Sequence, residues 1–225
     1  MRHSFRSLSL IRPILQRCIP TAALLAICLS DTAAQDYDTV IRNGTLIDGS
    51  GSPGVRADVA ISGQRIVKVL PTIKGGPGIR VINATGLVVA PGFIDMHAHI
   101  DPITELPEAR SMVSQGVTTA IGGPDGSAPW PTGPYLARIE RHGVGLNVAL
   151  LVGHNSVRRA VMALDNRAPT DKELARMREM IGQSMDEGAW GISTGLKYLP
   201  GAYSKIDEVI ALSKEAAAHG GYYTS

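Results

Sequence analysis

Two histidines with one residue between them are the first feature of this sequence that could do chemistry. His97 and His99 follow a short apolar run at residues 92–95 that predicts a β-strand. Side chains alternate along a strand, so residues two positions apart point to the same side and both imidazoles can reach one ion. Neutral imidazole is a common zinc ligand. The pair therefore predicts a metal site, and the alternative is two polar residues in a loop after a strand.

The segments that must position this pair alternate between strand-like and helical patterns. Strand-like runs lie at residues 92–95, 117–121, 146–152, 190–193 and 222–225. Helices are predicted near residues 105–115, around 134–142, from Thr170 to Gly188, and from Ser204 to His219. Glu173 lies three residues after Thr170, which predicts a capping box at the start of the third of these helices. Repeated strand–helix units of this size predict an α/β fold with a parallel sheet and helical crossovers, either open or closed into a barrel.

Residues 37–89 have a different pattern, in which short apolar stretches are broken by Gly, Asn, Asp and Pro. This pattern predicts the strands of a small β module, among them two separate short strands at residues 39–41 and 45–47. We expect a signal peptide at residues 1–34, the β module at residues 35–90 and the α/β region at residues 91–225. A complete barrel needs eight strands, so the five predicted runs are expected to be only the first part of one.

The first 34 residues have the layout of a secretory signal peptide. They contain four arginines, one acidic residue and an apolar run at residues 22–29 that is too short to anchor the chain in a bilayer. The small residues Thr32, Ala33 and Ala34 predict cleavage after Ala34, and hence a secreted or periplasmic protein. A lipoprotein modified at Cys28 and an arginine-rich transit peptide are the alternatives, and the bulky residue before Cys28 argues against the former.

The charge of the remaining chain excludes some partners. Removing four arginines and one aspartate changes the formal charge from +2 to −1, which gives no support for binding to nucleic acid or to an anionic membrane. Both cysteines, Cys18 and Cys28, lie in the predicted signal peptide. The mature chain is therefore expected to hold a metal through histidine or carboxylate rather than thiolate.

Longer motifs give the sequence a family resemblance over residues 37–225. The motifs are Asn43-Gly44-Thr45-Leu46-Ile47-Asp48-Gly49, Pro91-Gly92-Phe93-Ile94-Asp95-Met96-His97-Ala98-His99, Gly153-His154-Asn155-Ser156-Val157-Arg158 and Gly188-Ala189-Trp190-Gly191-Ile192-Ser193-Thr194-Gly195-Leu196. The first two resemble the amidohydrolase superfamily, and the last two resemble its N-acyl-D-amino-acid deacylase (D-aminoacylase) branch.

This resemblance implies a fold and an activity. The fold is a (β/α)8 barrel of the TIM type with a small β-sandwich. The activity is that of a metal-dependent amidohydrolase that acts on C–N bonds other than peptide bonds. One or two zinc ions activate the water that cleaves an N-acyl-D-amino acid into a D-amino acid and a carboxylate. The expected partner is thus a small molecule.

The resemblance also implies two further metal ligands. Members of this branch carry a cysteine ligand after a Gly-Val-Thr-Thr strand, and in this sequence residues 116–119 lead to Asp125 at that position. A carboxylate can replace the thiolate, although Asp125 could also be a turn residue before Gly126. Lys197 follows the fourth strand, where other amidohydrolases have a carboxylated lysine that bridges two metals. Its alternative is a solvated surface lysine.

His154 and Asn155 are predicted to polarise the scissile carbonyl or to orient a ligand, with helix capping as the alternative. Arg158 is predicted to be a solvated helix residue rather than a group that binds the substrate carboxylate. The resemblance places the later histidines and the catalytic aspartate beyond Ser225. No catalytic residue is therefore expected within this chain, and no turnover is expected from it alone.

Two other interpretations stay open. A cyclic amidase of the dihydroorotase or hydantoinase type would share the paired histidines and the lysine after the fourth strand. The segments at residues 154–156 and 193–195 favour the deacylase. The chain could also be a truncated, non-catalytic fragment. The substrate side chain, the acyl group, the number of metals and the oligomeric state are not determined by these patterns.

Overall fold

The computed structural model of the protein describes residues 37–225. The predicted signal peptide and its cleavage site lie outside the described residues. The chain forms two compact units, which consist of residues 37–43 with 57–85 and of residues 44–56 with 86–225. No helix among the described residues is both long enough and apolar enough to cross a membrane.

The strands in chain order are β1 (Thr39–Leu46), β2 (Val55–Ser62), β3 (Arg65–Leu70), β4 (Arg80–Asn83), β5 (Val88–Val89), β6 (Phe93–Ala98), β7 (Val117–Gly122), β8 (Asn147–Leu150), β9 (Val152–Gly153), β10 (Gly191–Ser193) and β11 (Tyr222–Thr224). The α-helices are α1 (Arg110–Val113), α2 (Thr132–His142), α3 (His154–Met162), α4 (Asp171–Asp186) and α5 (Ile206–Ala218), and short 3-10 helices lie at Asp101–Thr104 and Gly201–Tyr203.

The first unit is a small β-sheet. Its strand order is β3-β2-β1-β4, in which β2 and β3 are antiparallel and β1 and β4 are parallel. Its buried cluster consists of Val40, Ala60 and Ile73. A small β module is therefore present in this part of the chain, as the short apolar stretches predicted.

Strand β1 differs from the sequence prediction, which placed two short strands on either side of residues 42–44. The strand instead runs through, and Asn43 adopts a φ of 63° within it. The backbone N–H of Asn43 donates to the buried carboxylate of Asp58 at 2.9 Å. This bond explains why the strand continues, because it satisfies the backbone donor at the irregular residue.

The second unit contains two parallel sheets, with strand orders β6-β7-β8 and β11-β10-β9. All five strand-like runs that the sequence predicted form strands. The run at residues 146–152 is divided into β8 and β9, and the other four correspond to β6, β7, β10 and β11. The helices lie between successive strands, and this connection is the one that parallel pairing requires. The predicted mixed α/β class is confirmed.

Helix α4 follows its sequence pattern closely. The hydroxyl of Thr170 accepts the N–H of Glu173, and the Glu173 carboxylate accepts the N–H of Thr170, so the predicted capping box is present. Such a cap contributes about 1 kcal/mol. Met177 and Ile181 are buried on the face that packs against α5 and β9.

Two helix predictions are wrong at their boundaries. The segment near residues 105–115 forms only the short helix α1, because Pro107 cannot lie in a helix interior and Ala109 takes a left-handed φ of 44°. The cap of α5 is Lys205 rather than Ser204, whose hydroxyl donates to the carbonyl of Gly201 at 2.6 Å instead.

The carboxyl ends of the parallel strands position the residues that could do chemistry. Strand β6 leads into His99, β7 into the loop that holds Asp125, β9 into His154, and β10 into Lys197. Neighbouring parallel strands end at the same edge of their sheet, and active sites of α/β folds are built at that edge.

Candidate metal centre

The side chains of His97, His99 and Asp125 converge at the ends of β6 and β7. The Nε2 atoms of His97 and His99 each lie 3.4 Å from Oδ2 of Asp125. The two imidazole rings are 5.7 Å apart, measured between centroids, and are inclined by 68°. The alternation of side chains along β6 thus brings both rings to one side, as the spacing predicted.

The backbone places Asp125 in an unusual conformation. It lies in the loop after β7 and has a φ of 56°, and its neighbours Gly123 and Gly126 also have positive φ values. The backbone N–H of His97 donates to the Asp95 carboxylate at 3.0 Å. This bond lies at the end of β6, which contains His97 and ends one residue before His99.

The three side chains fit a divalent metal. Their ligand atoms, two nitrogens and one oxygen, all lie within 4.8 Å of one another. Two atoms that each bind zinc at about 2.1 Å in tetrahedral geometry lie about 3.4 Å apart, which matches both nitrogen–oxygen separations. His97 and His99 are exposed and Asp125 is half-buried, so an ion can reach the site from solvent.

A cavity of about 240 Å³ opens beside His99 and Asp125. Ile100, Leu150 and Pro129 contribute apolar surface to its wall, and Tyr135 and Tyr198 contribute aromatic rings. Its wall is about equally polar and apolar, with His99, Asp101 and Asp125 among its polar residues. A concave site that combines apolar walls with a few placed polar groups can hold a small molecule.

Lys197 lies in the turn after β10, and its side chain is exposed. Its neighbour Tyr198 lines the cavity. Among the described residues, the Lys197 ammonium makes no ion pair or hydrogen bond, so no contact joins it to the three converging residues. The bridging role of Lys197 stays a prediction.

His154 and Asn155 are buried at the start of α3 rather than exposed in the cavity. Nε2 of His154 lies 2.8 Å from the Glu208 carboxylate, and the amide of Asn155 donates to the carbonyl of Gly195 at 3.3 Å. The substrate-binding role of these two residues stays a prediction, because the contacts in the structure are with other parts of the protein.

Arg158 is fully buried, so its prediction as a solvated residue is wrong. Its guanidinium donates to the Glu208 carboxylate and to the carbonyls of Asp165 and Arg167. Burial raises the pKa of Glu208, but the hydrogen bonds and charges of His154 and Arg158 lower it by more, so the net pKa lies below its usual value.

Sequence reasoning missed Glu208, although a signal for it was present. Glu208 precedes Leu212 by four positions and Ala216 by eight, so it lies on the apolar face of α5. An acid on the buried face of a helix requires a charged partner. The sequence cannot show that this partner is provided by α3.

The α/β fold with histidine and carboxylate ligands at strand ends agrees with the family found by sequence comparison. Residues 80–220 match the model of a family described as amidohydrolase family. The match covers more than half of the chain. The chain therefore belongs to the amidohydrolase family.

Particular relatives are more informative than the family. The D-aminoacylase of Alcaligenes xylosoxydans xylosoxydans is 38% identical over 223 residues, which cover 88% of this chain and 46% of the relative. The chain thus spans about half the length of this curated relative.

Two solved structures support the same comparison. The N-acyl-D-glutamate deacylase from Bordetella bronchiseptica, complexed with zinc and a phosphonate inhibitor, has a TM-score of 0.78 and 35% identity, and the match covers 85% of this chain and 44% of that one. A D-aminoacylase described for its binuclear metal centre has a TM-score of 0.77 and 33% identity, with 83% and 44% covered.

Proposed function

We propose that the full-length protein hydrolyses the amide bond of N-acyl-D-amino acids and releases a D-amino acid and a carboxylate. The observation that carries this proposal is the convergence of His97, His99 and Asp125 beside a cavity of about 240 Å³. The similarity to D-aminoacylase and N-acyl-D-glutamate deacylase supports the substrate class.

The strands of the second unit support a proposal for the complete fold. Strands β6, β7, β8 with β9, β10 and β11 would be the first five strands of a (β/α)8 barrel, and the β-sheet of residues 37–85 would belong to its small β-sandwich. The parallel pairing and the intervening helices support this assignment. In such a barrel, the three converging residues would lie at the carboxyl-terminal face, where barrel enzymes build their sites.

His97, His99 and Asp125 would hold one zinc ion through two nitrogens and one oxygen. A zinc ion bound there supplies Lewis acidity toward the amide carbonyl and lowers the pKa of water. Two neutral imidazole ligands and one carboxylate would leave a bound divalent cation with a net positive charge, which would favour negative charge on the carbonyl oxygen.

The test is turnover of N-acetyl-D-amino acids by the purified, zinc-loaded full-length protein, with the L-isomers, a hydantoin and dihydroorotate assayed separately as alternative substrates. The double variant His97→Ala/His99→Ala should lose about one zinc equivalent and nearly all activity. His142→Ala is the control, because His142 lies at the end of α2 and the only hydrogen bond from its side chain to the described part of the chain joins Nδ1 to the carbonyl of Arg138.

Two results would contradict the proposal. Unchanged zinc content in the double histidine variant would show that His97 and His99 do not bind the metal. Turnover of the cyclic amides without release of D-amino acids would favour the cyclic amidase.

A further inference from the structure

We infer that Ser193 is a positioning residue that fixes the carboxylate of Asp125 beside His97 and His99. This inference rests on the proposed function, because it takes the three converging residues to be metal ligands. Ser193 does not touch the ligand atoms of the histidines. It acts through the loop that carries Asp125.

The hydroxyl of Ser193 joins the two sides of this loop. Ser193 is the last residue of β10 and is fully buried. Its Oγ accepts the N–H of Gly126 at 3.0 Å and donates to the carbonyl of Gly123 at 2.6 Å. Gly123 and Gly126 flank Asp125, so one side chain uses both its donor and its acceptor to close the turn around the ligand.

The loop needs such support because of its backbone conformation. Gly123, Asp125 and Gly126 have φ values of 78°, 56° and 74°. Glycine adopts this region readily, whereas other residues visit it rarely. Aspartate enters this region more often than most residues but still at a cost in free energy, which surrounding contacts offset. The Ser193 hydroxyl provides two of these contacts.

The ends of two neighbouring strands hold the same loop by close packing. A Cβ atom at Gly195 would lie 2.0 Å from the carbonyl oxygen of Asp125, and one at Gly153 would lie 2.4 Å from the carbonyl oxygen of Gly126. The backbone N–H of Asn155 also donates to that Gly126 oxygen at 2.8 Å. The peptide after Asp125 is therefore confined between β9 and the turn that follows β10.

Loosening this loop would change the position of the Asp125 carboxylate. The Asp125 side chain is 30% exposed, so in a loosened loop it would turn away from the histidines into solvent. Groups that orient a metal ligand without touching the metal typically contribute 10- to 100-fold to metal affinity or activity. The alternative is that Ser193 only stabilises the fold, in which case its loss would lower stability without a specific effect on the metal.

The experiment measures zinc affinity of the full-length protein by competition with a chromophoric chelator, together with the midpoint of urea unfolding. Ser193→Ala removes both hydrogen bonds of the hydroxyl. Ser184→Ala is the matched control, because Ser184 on α4 is equally buried and its hydroxyl has no hydrogen-bond partner among the described residues. Each variant is also made in an Asp125→Ala background.

We expect Ser193→Ala to weaken zinc binding about tenfold or more, and Ser184→Ala to leave it unchanged. In the Asp125→Ala background, Ser193→Ala should cause no further loss, because it acts through Asp125. Unchanged zinc affinity in Ser193→Ala, or the same loss with and without Asp125, would overturn the inference.

A second variant decides the matter if Ser193→Ala does not fold. The hydroxyl of Ser156 donates to the carbonyl of Ala128 and accepts its N–H, at 2.8 and 3.0 Å. Ser156→Ala releases the far end of the same loop from a half-buried position, so it should weaken zinc binding severalfold, again only when Asp125 is present. No change in this variant would overturn the inference.

The histidine variants separate this inference from the proposed function. If His97→Ala/His99→Ala keeps its zinc, the metal centre itself is wrong. If that variant loses zinc but Ser193→Ala and Ser156→Ala do not, only the positioning role is wrong.

Discussion

His97, His99 and Asp125 show how much of a site the spacing of residues can predict. The pairing of the two histidines follows from alternation along β6, and any strand would give it. Asp125 is 26 positions beyond His99 in the sequence, and it reaches the pair because β6 and β7 are adjacent and parallel, with Ala98 opposite Gly122. Only the family resemblance pointed to Asp125, because strand register is not visible in local spacing.

Arg158 and His154 show what the spacing of residues cannot predict. Both were interpreted from their own segment, as a solvated side chain and as a substrate contact. Both contact Glu208, which lies 50 and 54 positions away. A local pattern cannot reveal a partner at that distance, so the sequence could not predict that these polar groups are buried.

Lys197 gives a prediction at the scale of the residue. If its amine is carboxylated and bridges two metals, Lys197→Ala should lose about one zinc equivalent and most activity, because the anionic carbamate is stabilised by two cations. The zinc content and turnover of the full-length protein are the measurements. Short carboxylates should partly restore activity by replacing the carbamate.

The control for Lys197 is Lys205→Ala, since Lys205 is also exposed and lies at the cap of α5. Full activity and full zinc content in Lys197→Ala would show that Lys197 is a surface residue, as its exposure in the structure suggests. The site would then be a single-metal centre held by the three converging residues.

At the scale of elements, α3 and α5 are joined by a buried charged network. His154 and Arg158 on α3 both contact Glu208 on α5, and these side chains are at most 2% exposed. Removal of charges from water is costly, and only good geometry offsets it. We therefore expect the network to specify how α3 and α5 pack more than it stabilises them.

Glu208→Gln should lower the free energy of unfolding by about 3–5 kcal/mol, because it leaves Arg158 buried without its counter-ion. The pKa of Glu208 is lowered in the folded protein, so the stability that this group contributes is fully present above its unfolded pKa of about 4.5 and is lost as the pH falls through the folded pKa. The stability difference between the two proteins should therefore shrink on acidification. Urea unfolding at several pH values measures it.

The matched control for Glu208 is Glu215→Gln on the same helix. Glu215 pairs with Arg178 at 2.8 Å on the surface, and such pairs contribute about 0–1 kcal/mol. Other acids with lowered pKa values are present in all of these proteins, so their effects cancel in the comparison. A stability difference for Glu208→Gln that stays constant from neutral to acidic pH would contradict the assignment.

The predictability of the elements follows from how each is stabilised. Helix α4 was predicted together with its cap because Thr170, Glu173 and a regular apolar face all lie within the helix itself. Helix α1 was overestimated because Pro107 and the left-handed Ala109 limit it to four residues. The long strand β1 was missed because its continuity depends on Asp58, a partner from another strand.

At the scale of the whole molecule, the two units differ in how their sequences are patterned. The sheet of residues 37–85 has many exposed apolar residues on β3 and β4, among them Ile66, Val69 and Val81. In the second unit, the apolar residues of β7 to β10 lie mostly in buried clusters, whereas Phe93, Ile94 and Met96 on β6 are exposed. Exposed apolar patches of this kind mark surfaces that contact another protein segment or a ligand, so we expect the exposed surface of β3 and β4 to be covered in the full-length protein. The proposed β-sandwich is one arrangement that would cover it.

We propose that the protein is exported and that its mature form begins at Gln35. The basis is the arginine-rich start, the apolar run at residues 22–29 and the small residues before Gln35. Mass spectrometry of protein isolated from the periplasm or the medium should show Gln35 as the first residue.

Signal peptidase requires small residues at the last and third-last positions of the signal, so Ala34→Phe should accumulate as the uncleaved precursor. Ala33→Phe should be processed normally, because the position between them tolerates larger side chains. A mature chain that starts with a lipid-modified Cys28 would identify a lipoprotein, and an exported protein that retains Met1 to Ala34 would show that no cleavage occurs.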